Sequence, residues 1–303
     1  MLYGTTGTLS IPDMAVVLAH AMESSTVNPA TLLGVVFVTI ALAFKLGLVP
    51  FHMWVPDVYE GAPTPVTLYL STVSKLAAMA MAIRLLVDGL LPLLAQRQEL
   101  LVVLAVLSIA GGNLTAIMQT NIKRLLAYST ISHMGFFVLG LLSGTTDGYA
   151  AALYYMVVYA LTGIAGFGII MLLGRAGFEA DRIEDYRGLN GRHPWYAFLM
   201  MMVMFSLAGV PPMVGFWAKY SVLMAVISVH MVGLALYALL FSVVGAFYYL
   251  RVIKVMYFDE SPTVQPVAPA PDLHWTLSLN ALALLALGLL PGSLLDLCRS
   301  VWN

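Results

Sequence analysis

Long apolar runs follow one another along the chain, and most have the length of a membrane-spanning helix. They cover residues 31–48, 65–87, 100–118, 125–142, 149–173, 195–229, 232–257 and 275–297. A hydrocarbon core of about 30 Å requires roughly 20 apolar residues in a helix. Apolar and polar residues do not alternate over successive segments, which excludes an outer-membrane barrel. The pattern predicts an all-α polytopic membrane bundle of about eight helices.

Two of these runs contain a proline break. Gly47 and Pro50 interrupt the first run, and the run 195–229, about twice as long as one span needs, is interrupted by A-G-V-P-P ending at Pro212. Proline removes a backbone donor and clashes with the preceding turn. We therefore predict two discontinuous helices, near Pro50 and Pro211. Discontinuous helices at corresponding places in two halves are typical of transporters built from repeats, here of about five helices each.

The composition agrees with a membrane protein that carries no redox centre. Apolar residues make up 61% of the chain and charged residues 10%, whereas soluble domains carry roughly 25% charged residues. The single cysteine excludes an intrachain disulfide framework and an iron–sulfur site built from this chain alone. There is no Gly-rich dinucleotide fingerprint. The net charge of −1 does not indicate a nucleic-acid partner, so we predict no nucleic acid and no cofactor or metal in this chain.

Three lysines fall inside the apolar runs or at their ends: Lys45, Lys75 and Lys219. An ammonium group is costly in hydrocarbon, so a buried lysine amine can release and take up a proton near neutral pH. Together with His52 and His133, these lysines could form a line of titrating stations joined by water. Intramembrane ionisable residues usually have a function, and Lys75, at the centre of its run, is the strongest candidate.

Other interpretations stay open at this point. Lys45 lies near a helix end, where a lysine can extend its amine to the membrane surface. His52 could be a hydrogen-bonded loop histidine, and His133 could join two helices through a hydrogen bond. Acidic residues lie only in loops or at run ends, so no carboxylate inside the membrane is available to balance the lysines.

The remaining basic residues fall on two sides of the predicted membrane. Three are on one side, Arg84, Arg97 and Arg299, and eight are on the other: Lys123, Arg124, Arg175, Arg182, Arg187, Arg192, Arg251 and Lys254. Loops rich in lysine and arginine face the cytoplasm. The sequence therefore predicts a cytoplasmic loop 174–193 and a periplasmic C-terminus in a bacterial inner membrane.

Four motifs in order resemble a known family. They are F-K-L-G-L-V-P-F-H-M-W-V-P-D-V-Y-E-G-A-P-T-P-V from position 44, S-K-L-A from 74, Q-T-N-I-K-R-L-L-A-Y-S-T-I-S-H-M-G from 119 and S-L-A-G-V-P-P-M-V-G-F-W-A-K-Y from 206. The chain is similar over its whole length to subunit N of bacterial NADH–quinone oxidoreductase (respiratory complex I). This antiporter-like family is related to mitochondrial NADH dehydrogenase subunit 2.

The resemblance implies fourteen helices with two inverted five-helix repeats and discontinuous helices seven and twelve. Lys45 and Lys75 match the lysines of helices seven and eight, and Lys219 matches that of helix twelve. Lys123 and His133 match polar positions of helix ten, and His52 would join them in the linking polar path. The implied division is 1–30 (a helix end and an interfacial segment), 31–98 (the rest of the first repeat), 99–260 (the second repeat) and 261–303 (a loop and the last helix).

The resemblance also implies an activity, proton translocation, that is coupled to electron transfer from NADH to quinone. NAD, FMN, iron–sulfur clusters and quinone would be bound by other subunits of the complex. The expected partners are neighbouring antiporter-like and small membrane subunits and the lipid bilayer. The chain begins where the sixth family helix should end, so the resemblance implies an N-terminal truncation that also removes the glutamate of helix five.

Two alternative functions remain. The break motif is shared with Mrp-type cation/proton antiporters and membrane-bound hydrogenase subunits, in which ions would be exchanged by a different complex. Those relatives usually read P-D-A-H where this chain has Pro56-Asp57-Val58-Tyr59, which favours subunit N. A partial fragment without transport activity is the second alternative, because the first repeat is incomplete.

Overall fold

The structure, a computed structural model, describes residues 1–24, 26–174, 179–260 and 271–302 of the 303-residue chain. In these ranges the secondary structure is helical, apart from one isolated antiparallel bridge between Asn121 and Arg182. The prediction of an all-α membrane bundle is therefore confirmed. Arg175 of the loop 174–193 and most of the proline-rich start of the 261–303 region lie outside the described residues.

The helices are numbered in chain order. They are α1 (Leu2–Thr6), α2 (Ile11–Glu23), α3 (Pro29–Leu46), α4 (Trp54–Gly61), α5 (Thr64–Ser71), α6 (Val73–Ala82), α7 (Leu94–Ile117), α8 (Ile122–Leu142), α9 (Thr146–Leu173), α10 (Leu189–Arg192), α11 (Pro194–Ala208), α12 (Val214–Ser228), α13 (Val232–Phe258), α14 (Pro271–Leu289) and α15 (Pro291–Ser300). A π-helical turn, Ile83–Gly89, extends α6, and short 3-10 turns cover Leu91–Leu93 and Ile183–Tyr186.

The number of spans agrees with the hydropathy pattern. Six segments of the described chain are long and apolar enough to cross a membrane: Pro29–Leu46, Thr64–Gly89, Leu91–Ile117, Ile122–Leu142, Thr146–Leu173 and Val232–Phe258. The shorter apolar helices α11 and α12 are the two halves of the predicted long run, and α14 with α15 forms a bent pair. With the bent pair counted as one span, the described residues contain seven candidate spans, and α11 with α12 corresponds to the eighth predicted run.

The final span differs from its prediction. The sequence predicts one helix over 275–297, and this prediction is wrong, because α14 and α15 meet at an angle of 85°. Pro291, the first residue of α15, has no backbone N–H with which to continue α14. α15 then lies across the end of α9, where Arg299 is 3.7 Å from Asp147.

The long helix α8 forms the centre of the bundle, with most of its residues buried between α4, α7, α9 and α12. Its contact with α7 is unusually close. A Cβ atom added to Gly112 of α7 would lie 2.6 Å from the backbone nitrogen of Ser132, and one added to Gly135 would lie 2.7 Å from Cγ1 of Ile109. Small residues allow membrane helices to approach in this way.

The α7–α8 loop, the loop before α10 and the last turns of α13 meet at one end of the bundle. Arg251 donates hydrogen bonds to the carbonyls of Ile117 and Gln119 at 2.7 and 2.6 Å, and the Gly188 amide donates to the Val255 carbonyl at 3.1 Å. Seven of the eight basic residues predicted to share a side are described, and they lie in or next to these segments: Lys123, Arg124, Arg182, Arg187, Arg192, Arg251 and Lys254.

Candidate functional site

The two broken helices end in the same way. α3 ends at Gly47 with a φ of 78°, and α11 ends at Gly209 with a φ of 82°. Both values are in the left-handed region, which glycine adopts without steric cost and which commonly terminates a helix. A cis proline follows each glycine, Pro50 in the first break and Pro212 in the second.

A buried lysine donates to the last helical carbonyl at each break. Nζ of Lys75 is 2.7 Å from the carbonyl oxygen of Leu46, and Nζ of Lys219 is 2.9 Å from that of Ala208. Each of these carbonyls belongs to the residue directly before the left-handed glycine. The last carbonyls of a helix have no partner within it, so the break creates an acceptor inside the membrane.

The lysines reach these equivalent positions from different elements. Lys219 belongs to α12, the second half of its own broken helix. Lys75 belongs to α6, which follows α4 and α5 after the first break. The glycines leave room for the amines. A Cβ on Gly47 would lie 3.3 Å from Nζ of Lys75, and a Cβ on Gly209 would lie 2.8 Å from Cδ of Lys219.

Both amines lie in largely apolar surroundings. Lys75 is 1% exposed and its Nζ is 5.2 Å from the ring centroid of Trp54; Lys219 is 9% exposed and its Nζ is 5.5 Å from that of Phe136. The hydroxyl of Ser242 accepts a further hydrogen bond from Lys219 at 2.9 Å. Within the described ranges, neither lysine has a carboxylate within 4.0 Å, which agrees with the absence of intramembrane acids from the sequence.

His133 of α8 is held by two tyrosines. Its Nδ1 lies 2.6 Å from the hydroxyl of Tyr155, and its Nε2 lies 3.1 Å from the hydroxyl of Tyr249. The Tyr249 hydroxyl is in turn 2.5 Å from Ser129. Each hydroxyl can both donate and accept a hydrogen bond, and a neutral imidazole has one donor and one acceptor nitrogen. The cluster can therefore pass a proton along its hydrogen bonds.

One small cavity connects this cluster with Lys219, and a second adjoins it. The first, of about 10 Å³, is lined by groups that include His133, Tyr155, Thr162, Ser206 and Lys219. The second, also of about 10 Å³, is lined by Ser129 and Thr130 together with Thr162 and Tyr159, which also line the first. Polar lining groups can hold water in a cavity of this kind.

Lys123 occupies a different position from the other buried lysines. It lies at the start of α8, is 2% exposed, and pairs with Oε2 of Glu179 at 2.5 Å. Its Nζ also donates to the carbonyl of Ala62 at 3.1 Å, and Glu179 accepts a hydrogen bond from Thr64 at 3.3 Å. The hydrogen bond from Lys123 is the main cause of a lowered pKa for the Glu179 carboxyl group.

Two predicted stations lie apart from these cavities. Lys45 is exposed on the last turn of α3, although its backbone carbonyl lies 3.4 Å from Nζ of Lys75. His52 is half-buried in the turn between α3 and α4 and lines neither cavity. The structure therefore brings together Lys219 and His133, and it supplies the first break with an amine from Lys75 rather than from Lys45.

Several groups of the site are not singled out by the sequence reading: Tyr155, Tyr159, Thr162, Ser206, Tyr249, Ser242 and Glu179. One signal exists for Tyr155 and Tyr159, because residues four apart lie on the same helix face. Ser242 is a hydroxyl inside an apolar run, where such groups commonly find a partner. Glu179 lies in a polar loop, and its position in the sequence gives no indication of Lys123.

Comparison with known proteins places this arrangement in a family. Residues 1–246 match the family described as "NADH:quinone oxidoreductase/Mrp antiporter, TM". A curated NADH-quinone oxidoreductase subunit N from Herminiimonas arsenicoxydans is 58% identical, and the match covers 99% of this chain and 62% of that protein. The chain thus spans less than two thirds of that relative's length.

Two solved structures agree in fold. A chain of respiratory complex I from Thermus thermophilus with bound aureothin is 33% identical with a TM-score of 0.77, covering 97% of this chain and 62% of its own length. A chain of an archaeal membrane-bound sulfane sulfur reductase is 28% identical with a TM-score of 0.85, covering 99% and 60%. From its sequence match and its fold, the chain belongs to the transmembrane NADH:quinone oxidoreductase/Mrp antiporter family.

Proposed function

We propose that this chain carries part of the proton path of the antiporter-like membrane subunit of an NADH–quinone oxidoreductase. Electron transfer from NADH to quinone would occur in other subunits, which would bind NAD, FMN, iron–sulfur clusters and quinone. The 58% identity to a curated subunit N supports this choice within the family. The role of this chain's own residues is to take up, hold and release protons inside the membrane.

The observation that carries the proposal is the matched pair of breaks. Lys75 and Lys219 each donate to the carbonyl that precedes a left-handed glycine, at 2.7 and 2.9 Å. A buried lysine with a purely structural role would be balanced by a carboxylate. Among the described residues, these two amines instead donate to uncharged carbonyl and hydroxyl oxygens. Neutral acceptors suit an amine that alternates between its charged and uncharged forms, because a fixed carboxylate would hold the proton.

The path itself follows from the order of polar groups. Lys219 opens into the first cavity, His133 joins that cavity to Tyr155 and Tyr249, and the second cavity continues along α8 past Thr130. Water in the cavities would complete the chain of hydrogen bonds, and each proton would pass between neighbouring oxygen or nitrogen atoms. Lys123 would stand at the end of this path, and Lys45 and His52 would belong to the first break.

The architecture supports a division into repeats. The two breaks are equivalent in their glycine, proline and lysine geometry, which is consistent with 31–98 as the remainder of one repeat and 99–260 as a second. Residues 1–30 would lie at its edge, and 261–303 would supply the last helix. The loop 174–193 would face the cytoplasm and the C-terminus the periplasm, because the basic residues gather at the loop's end of the bundle.

The decisive experiment uses the assembled complex that contains this chain, in inverted membrane vesicles. Lys75→Met and Lys219→Met should each lower proton uptake per NADH oxidised, because methionine cannot carry a proton. Lys254→Met is the matched control, because Lys254 is exposed and its ion pair among the described residues is with Asp259 at 3.5 Å. NADH oxidation with a soluble artificial acceptor should be unchanged in all three variants.

Two outcomes would overturn the proposal. Wild-type proton uptake in both lysine variants, with the complex assembled, would remove the lysines from the path. Proton movement driven by a sodium gradient in vesicles without NADH or quinone would instead assign the chain to a cation/proton antiporter, the other activity found in this family's name.

A further inference from the structure

The ion pair between Lys123 and Glu179 lies where the polar path meets the loop end of the bundle. Lys123 is 2% exposed, so its amine has no direct contact with bulk water. The Glu179 side chain is 48% exposed, and its Oε2 is 2.5 Å from the Lys123 amine. The carboxylate therefore touches the buried amine on one side and water on the other.

In the part of the chain that the structure describes, the other contacts of the pair are a backbone carbonyl and a hydroxyl. Lys123 donates to the carbonyl of Ala62, and Glu179 accepts from the Thr64 hydroxyl. A backbone carbonyl has no proton to give, and the threonine hydroxyl bonds to the same carboxylate rather than to the amine. Among the described residues, Glu179 is thus the titratable group in contact with Lys123.

The neighbouring charges are paired with one another. Arg124 binds Asp57 at 2.9 Å and Glu60 at 2.7 Å, both of them on or next to α4. These contacts hold α4 against the start of α8 and pair both of these carboxylates with Arg124. Glu179 is left to balance Lys123.

Thr130 lies further along α8 on the same helix face as Lys123. The two residues are seven positions apart, which corresponds to about 10 Å along the axis. Thr130 lines the second cavity and is 2.7 Å from the hydroxyl of Tyr159. A chain of water molecules would have to span the distance between Lys123 and this cavity.

Resting on the proposed function, we infer that Glu179 is the proton relay between loop-side water and the buried Lys123 amine. When Lys123 passes its proton inward, Oε2 of Glu179 loses its positive partner and binds a proton from water. That proton then moves to the neutral Nζ of Lys123, which restores the ion pair. The reverse sequence releases a proton to the same side, and the hydrogen count balances in both directions.

The experiment compares Glu179→Gln with Glu179→Asp in the assembled complex, in membrane vesicles. Glutamine keeps the shape of the side chain and an oxygen that can accept hydrogen bonds, but it cannot carry a proton, so quinone-linked proton uptake should fall below the wild-type value. Aspartate restores a titratable carboxylate, and we expect it to recover most of the uptake. Glu184→Gln is the matched control, because Glu184 is an exposed loop carboxylate that pairs only with Arg187 at 3.2 Å.

A second readout separates a relay from a purely structural contact. With Glu179→Gln, proton entry should become rate-limiting, so the solvent isotope effect on quinone-linked turnover in D₂O should rise above the wild-type value. Equal losses in the glutamine and aspartate variants, with an unchanged isotope effect, would assign the pair a structural role and overturn the relay.

The outcomes also separate this inference from the proposed function. If Lys75→Met and Lys219→Met lower proton uptake while Glu179→Gln leaves it at the wild-type level, the relay fails and the lysine stations stand. If all the lysine variants transport normally, the proposed function itself fails. Assembly is checked for every variant by the yield of NADH oxidation with the artificial acceptor.

Discussion

The hydroxyl of Ser242 on α13 accepts a hydrogen bond from Nζ of Lys219 on α12, at 2.9 Å. A hydroxyl can accept from an ammonium group and can also donate to a neutral amine. Ser242 is therefore able to remain hydrogen-bonded to Lys219 in both of its protonation states. The Ala208 carbonyl, the other partner of this amine, can only accept.

Ser242→Ala should slow proton transfer through Lys219 without unfolding the bundle. Loss of one hydrogen bond costs about 0.5–1.5 kcal/mol, which corresponds to a rate between about twofold and tenfold lower. The measurement is proton uptake per NADH in vesicles. Ser221→Ala is the control, since its hydroxyl bonds only to the Ala218 carbonyl of its own helix; an equal effect of both changes would contradict the prediction.

Gly209→Ala should disturb both the break and the lysine beside it. The left-handed φ of 82° costs an alanine about 1–2 kcal/mol, and its Cβ would lie 2.8 Å from Cδ of Lys219. We expect a lower thermal midpoint of the solubilised complex and weaker proton uptake. Gly233→Ala, where a Cβ meets nothing within 4 Å, should leave both unchanged.

Tyr155→Phe tests whether the His133 hydrogen bond matters for transport. The change removes the hydroxyl 2.6 Å from Nδ1 of His133 and keeps the ring that stacks on Phe136. Proton uptake should fall severalfold while assembly is retained. The control is Tyr196→Phe, which breaks a similar tyrosine–histidine contact, with His274 at 2.8 Å, outside the cavities. Normal uptake in the Tyr155 variant would exclude this tyrosine from the path.

The contact of Glu179 with Lys123 should depend on pH in a defined direction. The pKa of Glu179 is lower in the folded protein than in the unfolded chain, mainly because of its bond with Lys123. Such a carboxyl group contributes stability above its unfolded pKa of about 4.3, and that contribution is lost as the pH falls through the lowered folded value. The contact should therefore persist at pH 5 to 8.

A spin label on Glu184→Cys can report the docking of this loop. Its mobility should be constant between about pH 5 and 8 and should increase as the pH falls below about 4.3 and the Glu179 carboxylate is protonated. Glu179→Gln should remove the acidic transition. A transition near neutral pH that survives in the glutamine variant would show that another group controls the loop.

The fold was largely predictable because its determinants are local. Runs of apolar residues specify the spans, and Gly47 and Gly209 with the prolines after them specify the breaks. The bend at Pro291 also has a local signal, a proline inside an apolar run, but composition alone made 275–297 look continuous. Pro291 lacks the backbone N–H that a continuous helix needs, so the helix bends there although the neighbouring residues are apolar.

The site was predictable in its residue types and not in its connections. The bond from Lys75 to Leu46 joins residues 29 positions apart, that from Lys123 to Glu179 joins residues 56 apart, and that between His133 and Tyr249 joins residues 116 apart. Such contacts arise from helix packing, which periodicity does not specify. Proximity in sequence could not show that the amine at the first break comes from Lys75, in the following span, and not from Lys45 beside the break.

The glycine contacts between α7 and α8 decide which parts of the molecule can shift during turnover. With Gly112 and Gly135 against the facing backbone and side chains, neither helix can rotate or slide without a collision. Lys123 and His133, both on α8, therefore belong to a rigid pair of helices. We therefore expect a step that opens and closes the path at the left-handed glycines of α3 and α11, where a lysine amine joins the backbone caps of each helix end.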